Sequence, residues 1–210
     1  MIDFYTWTTP NGRKIAIMLE ETGLDYTVHT IHIGQGEQNA PDFLKIAPNN
    51  KIPAIVDTDT GIQMMESGAI LMYLAEKTGK FMPTEDKARW ATIEWLMWQM
   101  GGVGPFMGQV HHFTKYNSGV APYAEERYLA EAKRLYKVMN TRLEDNEWLN
   151  GDSYSIADMA VWPWAARHDW QTIDLNDYPN VARWYTTMCG RPAVQKGWNI
   201  PPTDQQIPMP

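Results

Sequence analysis

The stretch from Asn49 to Gly68 holds the residue types best suited to gripping a small polar ligand. It reads Asn49-Asn50-Lys51-Ile52-Pro53-Ala54-Ile55-Val56, passes a polar turn to Gly61, and continues Ile62-Gln63-Met64-Met65-Glu66-Ser67-Gly68. Pro53 donates no backbone hydrogen bond, so ahead of an apolar run it marks a strand entrance. A cis Ile52-Pro53 bond would turn the chain and leave the Ile52 backbone able to pair with an extended ligand, as in strand addition. Glu66-Ser67-Gly68 opens a helical pattern and offers a carboxylate, a hydroxyl and helix-start amides together. Such a corner can hold a small peptide by its backbone and its charged end. The same residues also read as a proline-led strand followed by a Ser-capped helix, and the stretch alone does not choose.

The elements that must position this corner follow from periodicity. Phe4, Tyr5 and Trp7 make a short β-prone run, closed by the turn residues Thr8-Thr9-Pro10-Asn11-Gly12. Ile15, Met18 and Leu19 recur at helical spacing from Arg13 to Glu21, with Gly23 at the C-cap. Tyr26 to Ile33 alternates as a second strand, and the strand, helix, strand unit suits a parallel pair. A polar loop with a short helix at Pro41–Ile46 leads to strands at Ala54–Val56 and Ile62–Met65. A helix from Ser67 to Lys77 closes the unit near Gly79.

Residues 80–86, with Pro83, read as a linker, and from residue 87 the pattern is helical. Trp90, Ile93, Leu96 and Met97 recur at three and four residues, as do Tyr128, Ala132, Leu135, Tyr136, Met139 and Leu143. Trp90, Trp95 and Trp98 read as core. Ser155-Ile156-Ala157-Asp158 has the form of a capping box with Asp in place of Glu, Pro163 should kink the helix that follows, and Pro179 suits the first turn of another. From Gly197 to Pro210 the chain reads as an extended, proline-rich tail. The expected architecture is α/β plus all-α: a βαβ-ββα domain over 1–79, a linker over 80–86, and an all-helical domain over 87–210 ending in the tail.

Composition narrows the chemistry. Among 210 residues, 44% are hydrophobic and 20% charged, and the net charge is −7, with no basic run for nucleic acid or anionic membrane. No formal charge occurs from Trp95 to Thr114, but four glycines, a proline, two glutamines and two histidines make this a buried helix running into a loop rather than a membrane span. The N-terminus lacks the pattern of a secretory signal, so a cytoplasmic location is expected. The single cysteine, Cys189, excludes an internal disulfide, a Cys-based zinc site and a Cys-x-x-Cys pair, and is expected to be buried. Adjacent His111 and His112 diverge by about 100° on a helix, so no metal site is expected there and they should line or support a cleft.

A small βαβ-loop-ββα domain with Ile52-Pro53 at a strand entrance, Glu66-Ser67 at a helix start and Ser155-x-x-Asp158 in a helical second domain resembles the cytosolic glutathione transferases over essentially the whole chain. Thr9-Pro10-Asn11-Gly12, Pro48 to Pro53, Gly101-Gly102-Val103-Gly104-Pro105 and Gln109 to Phe113 look like the bacterial nu-class branch. The resemblance implies a thioredoxin-like first domain, a homodimer, glutathione as co-substrate without a metal, and glutathione-dependent reduction of disulfides. Two glutathiones in one site would serve as attacking and resolving thiols. Alternatives are a transferase that conjugates electrophiles or reduces organic hydroperoxides, and a non-catalytic glutathione-fold binding module. The first turn lacks the cysteines that a thioredoxin fold carries there. Thr9 and Asn11 instead offer a hydroxyl and an amide donor beside the positive end of a helix, able to favour a bound glutathione thiolate, and they equally suit turn formation and N-capping. The resemblance further assigns the γ-glutamyl end to Glu66 and Ser67, the cysteinyl backbone to Ile52 beside Pro53, and the glycyl carboxylate to Lys51 and Gln38. Arg134 would reach the site of a neighbouring subunit. Tyr5, on a strand, is assigned to the core rather than to sulfur activation.

Overall fold

The computed structural model describes residues 1–151 and 153–210, and the chain divides into two units. Met1–Lys80 and Arg191–Gln206 form the first, and Phe81–Gly190 with Ile207–Pro210 the second. In chain order the first unit contains β1 (Ile2–Thr6), α1 (Pro10–Thr22), β2 (Tyr26–Thr30), α2 (Pro41–Ile46), β3 (Ala54–Asp57), β4 (Ile62–Met65) and α3 (Ser67–Thr78). The second contains α4 (Asp86–Trp98), α5 (Gly104–Val110), α6 (Pro122–Arg142), α7 (Ile156–Ala165) and α8 (Pro179–Cys189). Helix α9 (Pro192–Trp198) returns to the first unit. The architecture is thus a thioredoxin-like domain with a mixed four-stranded sheet, and a helical domain.

The sheet order is β2-β1-β3-β4, with β1 and β2 parallel and the other pairs antiparallel. Phe4 pairs with Val28 on one side and Ile55 on the other, and Ile2, Phe4 and Thr6 point inward. Helix α1 starts three residues earlier than the apolar spacing suggests, because Thr9 caps it and Pro10 occupies its first turn, where a missing N–H costs nothing. It ends as expected, at Gly23 in the left-handed conformation (φ 72°), whose N–H reaches Leu19 O at 3.0 Å. The second strand is shorter than the alternation implies: it stops at Thr30, and Ile33–Gln35 turns into a 3₁₀ segment.

Three expectations for the helical unit change. Trp90 is 63% exposed and Met97 is also exposed, while Thr92 and Leu96 are buried, so the inward face of α4 lies on a different phase from the one the tryptophans suggest. The glycine-rich stretch after α4 does not become a loop. Gln99–Val103 and His111–Tyr116 are π-helical segments flanking α5, which keeps the backbone hydrogen bonded through the glycines. Residues 191–206 do not belong with 87–190. Arg13, fully buried on α1, stacks on the Trp198 ring at 3.4 Å and donates to Trp198 O (3.2 Å) and Gln205 Oε1 (3.0 Å). Trp198 Nε1 donates to Gln205 O at 2.6 Å. A tail read as extended surface chain is therefore partly a helix and partly a strap clasped to α1. The sequence pattern missed this because the clasp joins residues 185 positions apart.

The capping box is present as read. Asp158, fully buried, accepts from Ser155 N, Leu149 N and Trp184 Nε1, each at 3.0 Å, and from Ser155 Oγ at 3.1 Å. Burial pushes its carboxyl up to about 6 against the pull of these donors. Cys189 is buried, and burial raises its thiol to about 11, the behaviour of an inert structural cysteine. Among the described residues no helix is long and apolar enough to cross a membrane, and no three His, Cys, Asp or Glu residues gather as metal ligands.

Candidate active site

Sheet register brings three distant segments to one edge. Tyr5 pairs with Ala54, and Ala54 with Met65. The residues that follow β1, precede β3 and follow β4 therefore stand side by side: the first turn, Ile52-Pro53, and Glu66-Ser67. A one-residue slip in either pairing would send them to different faces.

At the first turn Thr9 takes an extended conformation (φ −120°, ψ 160°), and its Oγ1 accepts from Gly12 N at 3.2 Å. The capping reading of Thr9 is thus correct, and it is compatible with the donor reading, because a hydroxyl that accepts still has its own hydrogen to give. A Cβ on Gly12 would fall 2.4 Å from Thr6 Oγ1 and 2.5 Å from Trp7 O, so only glycine lets the start of α1 approach the end of β1. Asn11 lies half-buried in the first helical turn, at the positive end of α1.

Ile52-Pro53 is cis, and Ile52 stands just outside the ladder, which begins at Ala54. Lys51 is exposed and Pro53 buried. Asn50, at φ 46°, donates to Asn39 Oδ1 at 2.8 Å, which fastens this corner to the 3₁₀ turn Glu37–Asn39 that carries Gln38. Gln38 is half-buried, and its Oε1 is buried without a hydrogen-bond partner among the described residues. The loop is also tied to the first turn, since His32 packs on Trp7 with ring centroids 4.2 Å apart and its N–H donates to Glu37 Oε2 at 2.6 Å. That contact had no signal in the sequence.

Ser67 is not the cap of its helix. Glu66 occupies the cap position with no side-chain capping bond, at φ 71° and ψ 108°, a conformation that costs a non-glycine residue about 1–3 kcal/mol. Its side chain is exposed, whereas Ser67 is 3% exposed and accepts a hydrogen bond at 3.1 Å from Nζ of Lys14. Lys14 is 1% exposed, and burial draws its amine down to about 7 while the nearby Glu66 carboxylate pulls the other way. Periodicity did not find Lys14, since a lysine beside the apolar stripe of a helix ordinarily snorkels outward.

The remaining predicted residues are placed as follows. Tyr5 is half-buried, stacked on His29 at 4.6 Å and packed toward Phe43, so it borders the core rather than filling it. Arg134 lies in the second unit, paired through two hydrogen bonds with Glu131 (2.7 and 2.8 Å) on the exposed face of α6. It borders a groove of about 590 Å³ with Phe106, Tyr123, Arg127 and Tyr128. The two histidines separate as helical geometry requires. His112 is exposed, while His111 is buried, stacked on Trp164 and 3.2 Å from Gln171 Nε2. Gln171 also donates to Trp164 O and accepts from the Tyr136 hydroxyl. Burial lowers His111 to about 4, with Arg167 acting in the same direction, so it is a neutral member of this network.

Residues 2–76 match the glutathione S-transferase N-terminal domain and residues 105–192 the glutathione S-transferase C-terminal domain. The chain is 52% identical over 199 residues to the disulfide-bond oxidoreductase YfcG of Escherichia coli, covering 92% of this chain and 93% of that one. With E. coli disulfide-bond oxidoreductase YghU it shares 40% identity, over 93% and 73% of the two chains. A crystal structure of a glutathione transferase from Burkholderia graminis, with two glutathione molecules bound per subunit, superposes with a TM-score of 0.88 at 43% identity, covering 95% and 88%. One from Pseudomonas putida, with one glutathione disulfide per subunit, gives 0.89 at 39%, covering 95% and 91%.

Proposed function

Because the chain belongs to the glutathione S-transferase family, we propose that it reduces small disulfides with a bound, activated glutathione thiolate. The observation that carries this reading is the first turn: a cysteine-free cap at the positive end of α1, set by sheet register beside the cis-proline corner and the start of α3. Relatives named as disulfide-bond oxidoreductases, and related structures that hold two glutathiones or glutathione disulfide, support it.

In this reading Ile52, beside Pro53, pairs with the cysteinyl backbone, Glu66 and Ser67 take the γ-glutamyl end, and Lys51 and Gln38 take the glycyl carboxylate. Thr9 Oγ–H and the Asn11 amide donate to the sulfur. A free thiol has a pKa of about 8.5, so two donors and a helix start that lower it by about two units make the thiolate the main form at neutral pH. The thiolate attacks one sulfur of the substrate disulfide, a sulfur–sulfur bond forms to glutathione, and the other substrate sulfur leaves as a thiolate that takes up a proton. A second glutathione thiolate then attacks the mixed disulfide and releases glutathione disulfide and the second substrate thiol. The enzyme works in the cytoplasm as a nu-class homodimer, with the partner subunit's Arg134 supplying charge to the second glutathione.

The test is the rate on a small model disulfide with glutathione, measured beside rates on an electrophilic nitrobenzene and an organic hydroperoxide. Disulfide reduction should dominate and should fall in both Thr9→Ala and Asn11→Ala. A dominant rate on either other substrate, or variants as active as the parent, would overturn the proposal.

A further inference from the structure

The turn that carries Gln38 hangs on His32. The β1–β2 ladder ends with Thr6 opposite Thr30, and one further backbone bond runs from Ile31 N to Thr6 O at 2.9 Å. At His32 the chain leaves the sheet. The His32 carbonyl accepts from Gln35 N (2.9 Å) and Glu37 N (3.4 Å), and its N–H donates to Glu37 Oε2 at 2.6 Å. At the far end of the turn Asn39 accepts from Asn50, which fastens it to the cis-proline corner. The tether to the first turn is made by side chains instead. Asp3 and Tyr5 lie on the outward face of β1, and half-buried Trp7 continues that alternation. Tyr5 stacks on His29, its partner in the ladder, and beyond the ladder Trp7 meets His32 at 4.2 Å. Trp7 O in turn accepts from Thr9 N at 2.7 Å, so the indole belongs to the turn that holds Thr9 and Asn11.

The His32 ring acts here by its shape. Its Nδ1 is buried with no hydrogen-bond partner among the described residues, so ring contact rather than a polar bond through that atom holds it on the indole. The ring also lies against Gly34, where a Cβ would stand 3.2 Å from His32 Cε1. Resting on the glutathione reading above, we propose that His32 is a positioning residue for the glycyl end of the ligand. Packed on Trp7, its ring holds the 3₁₀ turn Glu37–Asn39 at a fixed distance from the first turn. Gln38 then meets the glycyl carboxylate of a tripeptide whose sulfur is already placed at Thr9 and Asn11. Without the ring the turn drifts, and the loss falls on the glycyl group alone, because Thr9 still caps the first turn through Gly12 N.

The experiment measures calorimetric affinities for glutathione and for γ-glutamylcysteine, the same ligand without glycine. The proteins are the parent, His32→Ala, His32→Phe, Trp7→Ala and the double variant of Trp7→Ala with His32→Ala. In the parent, glutathione should bind more tightly. An aromatic pair is worth about threefold to tenfold in an equilibrium constant. His32→Ala should therefore shrink the preference for glutathione by about that factor and leave γ-glutamylcysteine within about twofold. His32→Phe restores a ring without its nitrogens and should keep the parental preference. Trp7→Ala should match His32→Ala, and the double variant should lose no more preference than either, since all three remove one contact. Equal weakening of both ligands by His32→Ala, an unchanged preference, failure of phenylalanine to restore it, or additive losses in the double variant each overturns the role of His32. If His32→Ala does not fold, Trp7→Ala decides by the same ratio of affinities. A parent that binds neither ligand overturns the glutathione reading itself, whereas a parent that binds both equally overturns only the glycyl selection.

Discussion

The observed cap at Thr9 and the thiolate-donor role proposed for it can be taken apart by choosing side chains that cap without donating. Thr9→Ala removes both functions. Loss of the bond from Gly12 N should cost about 1 kcal/mol of stability, a fall of about 2–4 °C in Tm for a chain of this size. Loss of the hydroxyl donor should raise the pKa of the bound thiol by about one unit, one neutral hydrogen bond being worth roughly 1 kcal/mol. Thr9→Asp keeps an excellent cap, so Tm should stay within about 1 °C of the parent. It replaces the donor with a carboxylate, however. At about 4 Å and an effective dielectric of about 20, that charge raises the cost of a neighbouring thiolate by about 4 kcal/mol, or about three pKa units. Thr9→Ser should behave as the parent in both respects. The assay is the ultraviolet thiolate band of bound glutathione titrated with pH, with thermal unfolding of the same samples. Thr9 is a cap alone, and the proposed donor role is refuted, if Thr9→Asp leaves the bound thiol at its parental pKa or if Thr9→Ala and Thr9→Asp shift it equally.

Other positions test the scaffold. A Cβ on Gly197 would lie 2.7 Å from Ile17 N and 2.8 Å from Ile17 Cα. Because those are backbone atoms, Gly197→Ala should force α9 away from α1 and lower the unfolding free energy in urea by about 1–3 kcal/mol. Asp158→Ala leaves four buried donors without their acceptor and should cost about 3–5 kcal/mol by the same measurement. His111 is held near 4 in the fold against 6.5 when unfolded, so the unfolded chain binds the extra proton between those values. Stability should therefore be unaffected above about pH 6.5 and fall by up to about 3 kcal/mol as pH drops toward 4. In His111→Gln that part of the acid slope should vanish.

Much of the first unit was legible because local signals agreed there. Pro53 before an apolar run, Gly23 and Gly79 after helical stripes, and the turn at Thr9 to Gly12 each mark an element boundary by backbone chemistry that a single residue carries. The capping box at Ser155 and Asp158 was equally local. Readings that failed depended on what an apolar or charged side chain meets in space. Trp90 shares the spacing of the α4 apolar residues and still faces solvent, and the glycines near Gly101 stay helical because the backbone closes π-type bonds around them.

For the site, the sequence by itself determined the residue types: a cysteine-free first turn, a proline corner, and an acid and a hydroxyl at a helix start. Each is a short-range pattern whose chemistry is readable in three or four residues. That these form one constellation was decided by the tertiary structure, through the pairing of Tyr5 with Ala54 and of Ala54 with Met65. The same level decided that Ser67 is braced by Lys14 rather than capping α3, and that the C-terminal strap closes on Arg13. Such contacts join residues 53 and 185 positions apart. Their energies come from burial and from partners brought by the fold, and nothing in the local order of residues encodes them.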